Sequence, residues 1–282
     1  MKAEFLANKN DYLIKQIEQN TELNFNQIKS VLRKKDVKLD GKKISQNLFV
    51  NVGQKIEVFF KDKQFDLKVI YQDDNVLIVD KPAGVEVANA DASLNAQTLE
   101  NMTGCMAVHR IDRNTTGLVV LAKNEQSKQE LEKAFKLHAI EKFYTCVVVG
   151  QPKVAEKNMT AYLVKDSKNS FVKIFDSEQK GACEIKTNYK LLKTNGKLSL
   201  LQVELLTGKT HQIRAHLAHE NLPILGDEKY GNKLANKLYG KHRQLLASTK
   251  MVFHFNSQSV LKNLDGKKFE ISTDFENMLN EK

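Results

Sequence analysis

The sequence of 282 residues contains no tryptophan and only 3 cysteines, and the cysteine pattern restricts the class of protein. Cys105, Cys146 and Cys183 are widely separated, odd in number and never part of a Cys-x-x-Cys pair. This pattern is typical of a reducing compartment and argues against disulfides and a zinc knuckle. Cys105 and His109 are four residues apart, but no second ligand pair accompanies them, so we expect no metal site. The 14 Phe and 7 Tyr still provide rings for stacking on bases.

Long apolar runs and several common cofactor motifs are also missing. No stretch is long enough to span a bilayer, and the N-terminus has no apolar signal segment. We therefore expect a soluble, cytoplasmic protein without a membrane partner. The chain has no Gly-x-Gly-x-x-Gly, no nucleotide phosphate loop and no Gly-x-Ser-x-Gly, which argues against dinucleotide enzymes, P-loop enzymes and serine hydrolases. We expect no cofactor.

Positive charge is abundant. The chain has 44 Lys and Arg against 34 Asp and Glu, a formal net charge of +10 and a pI near 9.3. Lys and Arg gain affinity for polyanions by releasing counterions from phosphates, so the composition indicates a nucleic-acid partner. The length allows one large domain, or one of ordinary size with a small module attached.

Residues 1–62 are predicted to form the small module. Apolar residues recur at helical spacing over 13–17 and 25–32, and strand-like alternation follows at 56–60. Basic residues follow the second helix and a predicted Asp-Gly turn, namely Arg33, Lys34, Lys35, Lys42 and Lys43. The pattern resembles a small α/β RNA-binding module of a ribosomal protein, in which these residues would contact RNA. A basic face that is only solvated is the alternative.

Residues 66–282 are predicted to form a catalytic domain of the α+β class. Strand-like segments with few long helices favour a mixed or antiparallel sheet. The polar stretch 109–117 runs into the apolar residues 118–122, which read as a buried strand. Asp112 lies between Arg110 and Arg113, and nearby positive charge favours a carboxylate that acts as nucleophile or base. An Asp that only caps a turn is the structural alternative.

Two further segments supply candidate residues. Tyr144 follows Lys142 in a β-rich segment. A tyrosine in such a strand either fills the hydrophobic core or projects its ring from the sheet into a functional site. The stretch 207–219 is predicted to contain a helix whose N-cap is Thr210. Arg214 lies one turn after this cap, where its long side chain is able to reach a carboxylate. Its histidines lack metal-site spacing and are expected to be structural.

Four blocks in the same order resemble the RluA-type pseudouridine synthases of large-subunit ribosomal RNA. They are Lys81-Pro82-Ala83-Gly84, His109 to Leu118, Lys142-x-Tyr144 to Gly150, and Thr207 to Leu217. The resemblance extends to about residue 275. Two departures are Ala88-Asn89, where relatives have His-Pro, and Leu246-Ala247-Ser248, where they have Leu-His-Ala.

The resemblance implies a mixed-sheet catalytic domain with a central cleft, and a role for each matching residue. Asp112 would be the catalytic carboxylate, Tyr144 would stack on a flipped-out uracil, and Arg214 would pair with Asp112. The implied substrate contacts are Arg110, Arg113, Lys81, Lys142 and Leu246. Asp112 would attack C1′ or remove the 2′ proton, and these alternatives stay open.

We therefore predict an RNA pseudouridine synthase, an isomerase that acts as a monomer on ribosomal RNA, with transfer RNA as the other candidate substrate. A non-catalytic RNA-binding or ribosome-assembly factor is one alternative. A glycosylase that releases free uracil is another.

Overall fold

The computed structural model describes residues 2–21, 23, 25–60, 67–88, 98–166 and 171–280. These residues divide into two compact units. The first lies within Met1–Asp66 and Asn89–Met102, and the second within Leu67–Ala88 and Thr103–Lys282. The polar residues 61–64, whose composition predicts a linker, lie outside the described residues. Asn24, whose residue type predicts the N-cap of the second helix, lies outside them as well. The assignment of residues 1–62 to RNA binding stays a prediction.

The first unit pairs two helices with a small sheet. Its elements are β1 (Lys2–Leu6), β2 (Asp11–Tyr12), α1 (Leu13–Asn20), α2 (Phe25–Arg33), β3 (Val37–Leu39), β4 (Lys42–Ile44), β5 (Phe49–Val50) and β6 (Lys55–Phe59). The strands pair in the order β1-β6-β3-β4, and β2 pairs with β5. Leu13, Ile17, Ile28 and Val58 are fully buried in one core, because the apolar faces of both helices pack together with the sheet.

The second unit contains most of the chain's strands. It begins with β7 (Lys68–Gln72) and β8 (Val76–Lys81). The helix α3 (Leu99–Thr103) follows in the chain, and all but its last residue belongs to the first unit. The remaining elements of the second unit are β9 (Met106–Ala107), β10 (Thr116–Ala122), α4 (Glu125–Lys136), β11 (Ile140–Val149), β12 (Glu156–Asp166), β13 (Phe171–Phe175), β14 (Cys183–Thr194), β15 (Leu198–Leu205), α5 (Gln212–His219), α6 (Lys233–Leu238), β16 (Leu246–Phe253) and β17 (Lys268–Glu270). Two 3-10 helices follow β16, at Lys262–Leu264 and Phe275–Leu279.

Within the described chain, these strands form one 11-stranded mixed sheet. Its main path runs β13-β12-β14-β15-β11-β16-β10-β8-β7, with β9 on β10 and β17 on β16. β10 and β16 pair in parallel, whereas every other strand pairing in this sheet is antiparallel. The predicted mixed sheet of an α+β protein is therefore confirmed. No described helix is both long and apolar enough to cross a bilayer.

The strand β10 is the buried centre of this unit, as its apolar sequence predicts. Residues 117–122 are all buried, between β8 and β16. At its start Gly117 has a φ of +104°, and a Cβ there would lie 2.2 Å from the backbone oxygen of Ser248 in β16. Only glycine fits this close approach. The polar loop before β10 is therefore held at a fixed point on the sheet.

Candidate active site

The loop that carries Asp112 is fixed on the side of β16. The backbone N–H of Thr115 donates to the Asp112 carbonyl at 3.0 Å and closes a turn. The side chain of Thr115 is buried, and its hydroxyl accepts from Gln244 at 2.8 Å. Because the turn is tied to the segment leading into β16, the Asp112 side chain has a defined direction.

Lys81 holds the same loop from the other side. Its side chain is fully buried at the end of β8. The ammonium donates to the carbonyls of Pro82, Val85 and Arg113 at 3.1, 2.7 and 3.0 Å. Burial lowers the pKa of Lys81 to about 7. The prediction that Lys81 contacts substrate does not fit this geometry, since the charge has no exposed surface. Lys81 instead joins the loop 82–85 to the Asp112 loop.

Arg214 is the centre of a buried ion-pair network. Its Nη1 donates to Asp112 Oδ2 at 2.8 Å, while Nε and Nη2 donate to the two carboxylate oxygens of Asp227 at 2.7 and 2.9 Å. The side chain of Arg214 is 8% exposed, that of Asp227 0% and that of Asp112 26%. Burial opposes the charge on Arg214, but Asp227 and then Asp112 raise its pKa above the ordinary value. Asp112 is the only one of these three groups with substantial solvent access.

Asp227 is oriented by its own loop. Its Oδ1 also accepts from the backbone N–H groups of Lys229 and Tyr230 at 2.8 and 3.1 Å. Burial acts to raise the pKa of Asp227, but the hydrogen bonds and charge of Arg214 lower it below the ordinary value. The Arg214 guanidinium lies 5.2 Å from the ring centroid of Tyr230. Asp227 is therefore a rigid anion that fixes the direction of Arg214.

The helix α5 that carries Arg214 is anchored to β14 by side chains. Gln212 donates to the Lys186 carbonyl and the Thr187 hydroxyl at 3.1 and 3.0 Å, and the His216 ring bonds the same hydroxyl at 3.0 Å. The predicted cap at Thr210 is wrong. His211 is the N-cap residue, in a left-handed conformation with φ 55°, and makes no capping hydrogen bond from its side chain. Its ring bonds the Tyr230 hydroxyl instead, at 2.9 Å.

Tyr144 and Leu246 line the same cleft as Asp112 and Arg214. The cleft has a volume of about 580 Å³ and lies within the second unit. Tyr144 is on β11 and Leu246 on the paired strand β16. Burial, and then the nearby charge of Asp112, raise the pKa of Tyr144 above its ordinary value. The cleft therefore combines an ion-paired carboxylate with an aromatic ring and an apolar side chain.

The other predicted substrate and RNA contacts differ in their exposure and in whether they line the cleft. Arg110 and Arg113 are exposed and line the cleft, and Arg113 Nε also donates to the Gly84 carbonyl at 3.0 Å. Lys142 is 8% exposed and does not line the cleft. Its ammonium lies 5.8 Å from the Phe135 ring centroid, and burial lowers its pKa. In the first unit, the five predicted RNA contacts are all exposed, at Arg33, Lys34, Lys35, Lys42 and Lys43.

His109 has a structural partner. Its Nε2 accepts from the backbone N–H of Val120 at 3.1 Å, and its ring stacks on Phe135 at 4.4 Å. Burial lowers the pKa of His109 to about 3. Among the residues described, no group of three or more His, Cys, Asp or Glu side chains is arranged to hold a metal ion.

A partly exposed carboxylate, held by a buried ion pair beside an aromatic ring in a cleft, makes this cleft the candidate active site. The family model for RNA pseudouridylate synthase matches residues 75–219, which include Asp112, Tyr144 and Arg214. The chain therefore belongs to the RNA pseudouridylate synthase family, whose members are isomerases.

Individual relatives agree with this assignment. The ribosomal large subunit pseudouridine synthase C of Rickettsia bellii is 31% identical over 281 residues, covering 86% of this chain and 87% of the relative. The protein of the same name from Vibrio parahaemolyticus is 28% identical over 227 residues, covering 72% and 70%. The solved structure of human RNA pseudouridylate synthase domain containing 4 has the same fold, with a TM-score of 0.59 at 21% identity, covering 76% of this chain and 92% of that one.

Sequence reasoning did not single out Asp227 or Tyr230. The run Gly226-Asp227-Glu228-Lys229-Tyr230-Gly231 reads only as a turn-rich loop. The signal in the sequence is the glycine at each end of this run. In the structure, a Cβ at Gly226 or Gly231 would lie 2.0 or 2.1 Å from a backbone oxygen. Two glycines that have no room for a Cβ, on either side of an acidic residue, indicate a closely packed loop that holds the acidic side chain in place.

Proposed function

We propose that this enzyme converts uridine to pseudouridine in large-subunit ribosomal RNA. The names of its relatives support ribosomal RNA as the substrate class, and the net charge of +10 suits a polyanion. The observation that carries the proposal is the 2.8 Å contact between Arg214 and the partly exposed Asp112 in the cleft.

Asp112 is the catalytic carboxylate in this proposal. It attacks C1′ of the uridine or removes its 2′ proton, and either route breaks the bond between C1′ and N1. The detached uracil turns and its C5 bonds to C1′. As that bond forms, the ester bond between Asp112 and C1′ breaks on the first route, and the proton held by Asp112 returns to C2′ on the second. C5 then loses its proton, and N1 gains one. Product and substrate have the same atoms, so the reaction consumes no co-reactant. Arg214 donates to the carboxylate at 2.8 Å and fixes its direction towards the substrate.

Tyr144 and Leu246 hold the base during this rearrangement. Both line the cleft with Asp112, and an aromatic face with an apolar wall suits a planar ring that must turn without leaving. A uridine reaches such a cleft only by leaving its stack, which costs a few kcal/mol and is cheapest in loops and bulges. Arg110 and Arg113 at the cleft stabilise the phosphates of the opened RNA.

The exposed basic residues of the first unit bind phosphates of the RNA. Arg33 is the last residue of α2 and Lys34 and Lys35 directly follow it, whereas Lys42 and Lys43 are on β4. Replacing one of them by glutamine is expected to weaken binding and to reduce the salt dependence of log K by about 0.7–0.9 for each phosphate that is no longer neutralised.

The test is a map of pseudouridines in total RNA from a deletion strain complemented with wild type or Asp112→Asn. We expect wild type to restore sites in large-subunit ribosomal RNA, and Asp112→Asn to restore none. Restored sites in transfer RNA alone would contradict the substrate class. Equal restoration by both proteins would contradict the role of Asp112.

A further inference from the structure

The short helix α6 has an apolar outer face. Leu234 and Leu238 are 81% and 78% exposed, which makes them the most exposed large apolar side chains among the residues described. They are four residues apart, and therefore lie on one face of the helix. The adjoining face, about 100° around the helix, carries Ala235 and Tyr239, which pack against a core cluster of the second unit. The two leucines thus lie on the solvent side of a helix that is docked by its other face.

This helix is connected directly to the active-site network. Asn236 accepts from the backbone N–H of Gly226 at 2.7 Å and donates to the carbonyl of Asp227 at 2.9 Å. Along the chain, α6 is bracketed by cleft-lining residues, since Lys229 precedes it and His242 follows it. The segment leaves the edge of the cleft, forms one and a half turns of helix and returns to that edge.

The charge around the leucines indicates what covers them. Residues 229–243 contain five Lys or Arg and no Asp or Glu, at positions Lys229, Lys233, Lys237, Lys241 and Arg243. Lys233, Lys237 and Arg243 are exposed and form no ion pair with any residue that the structure describes. Two apolar side chains beside the exposed cations Lys233, Lys237 and Arg243 fit a polyanion that also offers apolar surface. Unstacked RNA has this combination, because its phosphates are charged and the faces of its bases are apolar.

We propose that α6 binds the RNA strand next to the target uridine, with Leu234 and Leu238 covering the face of an unstacked neighbouring base. This inference rests on the proposed function. Extruding the uridine removes a stacking partner from its neighbours, and apolar side chains at the edge of the cleft offset that loss. Lys233 and Lys237 hold the adjoining phosphates. Because Asn236 joins α6 to the Asp227 loop, RNA bound on α6 is held at a fixed position relative to Arg214.

The test compares the full-length wild type with Leu234→Ser/Leu238→Ser on unmodified, in vitro transcribed large-subunit ribosomal RNA. We expect Kd and KM to rise about tenfold, the size expected when two leucines lose part of the burial that binding provides. We expect kcat to stay within about twofold, because Asn236 and the ion-pair network are unchanged. The slope of log Kd against log salt should not change, because an apolar contact releases no counterions.

Two further variants complete the experiment. Leu137→Ser, at a leucine that is 64% exposed beyond the end of α4, is the matched control and should leave Kd and KM unchanged. Lys233→Gln/Lys237→Gln should weaken binding and reduce the salt slope by about 0.7 for each phosphate that the variant no longer neutralises. Equal thermal unfolding of all four proteins shows that the fold is intact.

The outcomes separate this inference from the proposed function. A wild type that forms no pseudouridine in this RNA contradicts the proposed function. A Leu234→Ser/Leu238→Ser protein with the wild-type Kd overturns the inference about α6, whether or not the wild type is active. A wild-type salt slope in Lys233→Gln/Lys237→Gln overturns the part assigned to the lysines.

Discussion

Replacing Asp227 with asparagine should weaken both the fold and the reaction. Asp227 is fully buried, and its carboxylate accepts two hydrogen bonds from Arg214 and two from backbone N–H groups. Asparagine has almost the same shape but only one acceptor oxygen and no charge. Its amide hydrogens would face donors, and Arg214 would keep a buried charge balanced only by Asp112.

The size of the effect follows from burial. Removing one partner of a buried ion pair typically costs about 3–5 kcal/mol, because the other charge stays desolvated. For a chain of this size, about 2–4 °C of unfolding temperature is lost per kcal/mol, so we expect a fall of about 10 °C. Arg214 would also lose the contact that aims it at Asp112. A displacement of about 1 Å at a reacting group can cost about 100-fold in rate, and we expect kcat to fall by that order.

The assays are thermal unfolding and single-turnover conversion of uridine in an RNA substrate. Asp176→Asn is the matched control, since Asp176 pairs with His219 of the same helix α5 but has a side chain that is 90% exposed. It should leave both the unfolding temperature and the rate unchanged. If Asp227→Asn unfolds at the wild-type temperature and reacts at the wild-type rate, Asp227 does not orient Arg214 and the reasoning fails.

Three further predictions concern the surroundings of the site. Gly117→Ala should lower the unfolding temperature, because its Cβ would lie 2.2 Å from a backbone oxygen, whereas Gly53→Ala, at a similar φ of +86° with nothing within 4 Å, should cost less. Lys81→Met should reduce turnover more than RNA affinity, since it leaves three carbonyls near Asp112 without their donor; a selective loss of affinity would contradict this. The pKa values of His109 and His216 fall from 6.5 to about 3 and about 4, mainly through burial. The unfolded chain therefore takes up protons below pH 6.5 while the folded rings stay neutral, and the free energy of urea unfolding should drop by up to about 1.4 kcal/mol per pH unit for each ring between pH 6.5 and about 4. A flat profile there would show that the rings are not buried as neutral groups.

The central elements of the second unit were predictable because their signals are local. The apolar run 118–122 indicated the buried strand β10, and the charges near Asp112 marked the polar loop that precedes it. The contact between Asp112 and Arg214 joins residues 102 positions apart. The pairing of these two residues was implied only by the family resemblance that the four ordered blocks carry. Spacing along the chain does not show which distant residues come into contact.

The errors concern residues whose roles depend on distant partners. The resemblance implied that Lys81 contacts substrate, but its ammonium is fully buried and donates to three carbonyls that the fold brings together. The sequence around Asp227 indicates only an acidic residue in a turn. Its role depends on Arg214, 13 residues away, which donates to its carboxylate. In the first unit, Asn10 and Asp11 are residue types that favour a helix N-cap, yet the N-cap of α1 is Tyr12 and the backbone N–H of Ile14 donates to the Asn47 side chain, 33 residues away. None of these partners can be found from a local pattern.

The most direct test of the account is pseudouridine formation by purified wild type and Asp112→Asn in unmodified large-subunit ribosomal RNA. The substitution removes the charge of Asp112 but keeps an oxygen for Arg214. We expect wild type to form pseudouridine without releasing free uracil, and Asp112→Asn to bind the RNA but form none. Conversion by Asp112→Asn at the wild-type rate would contradict it.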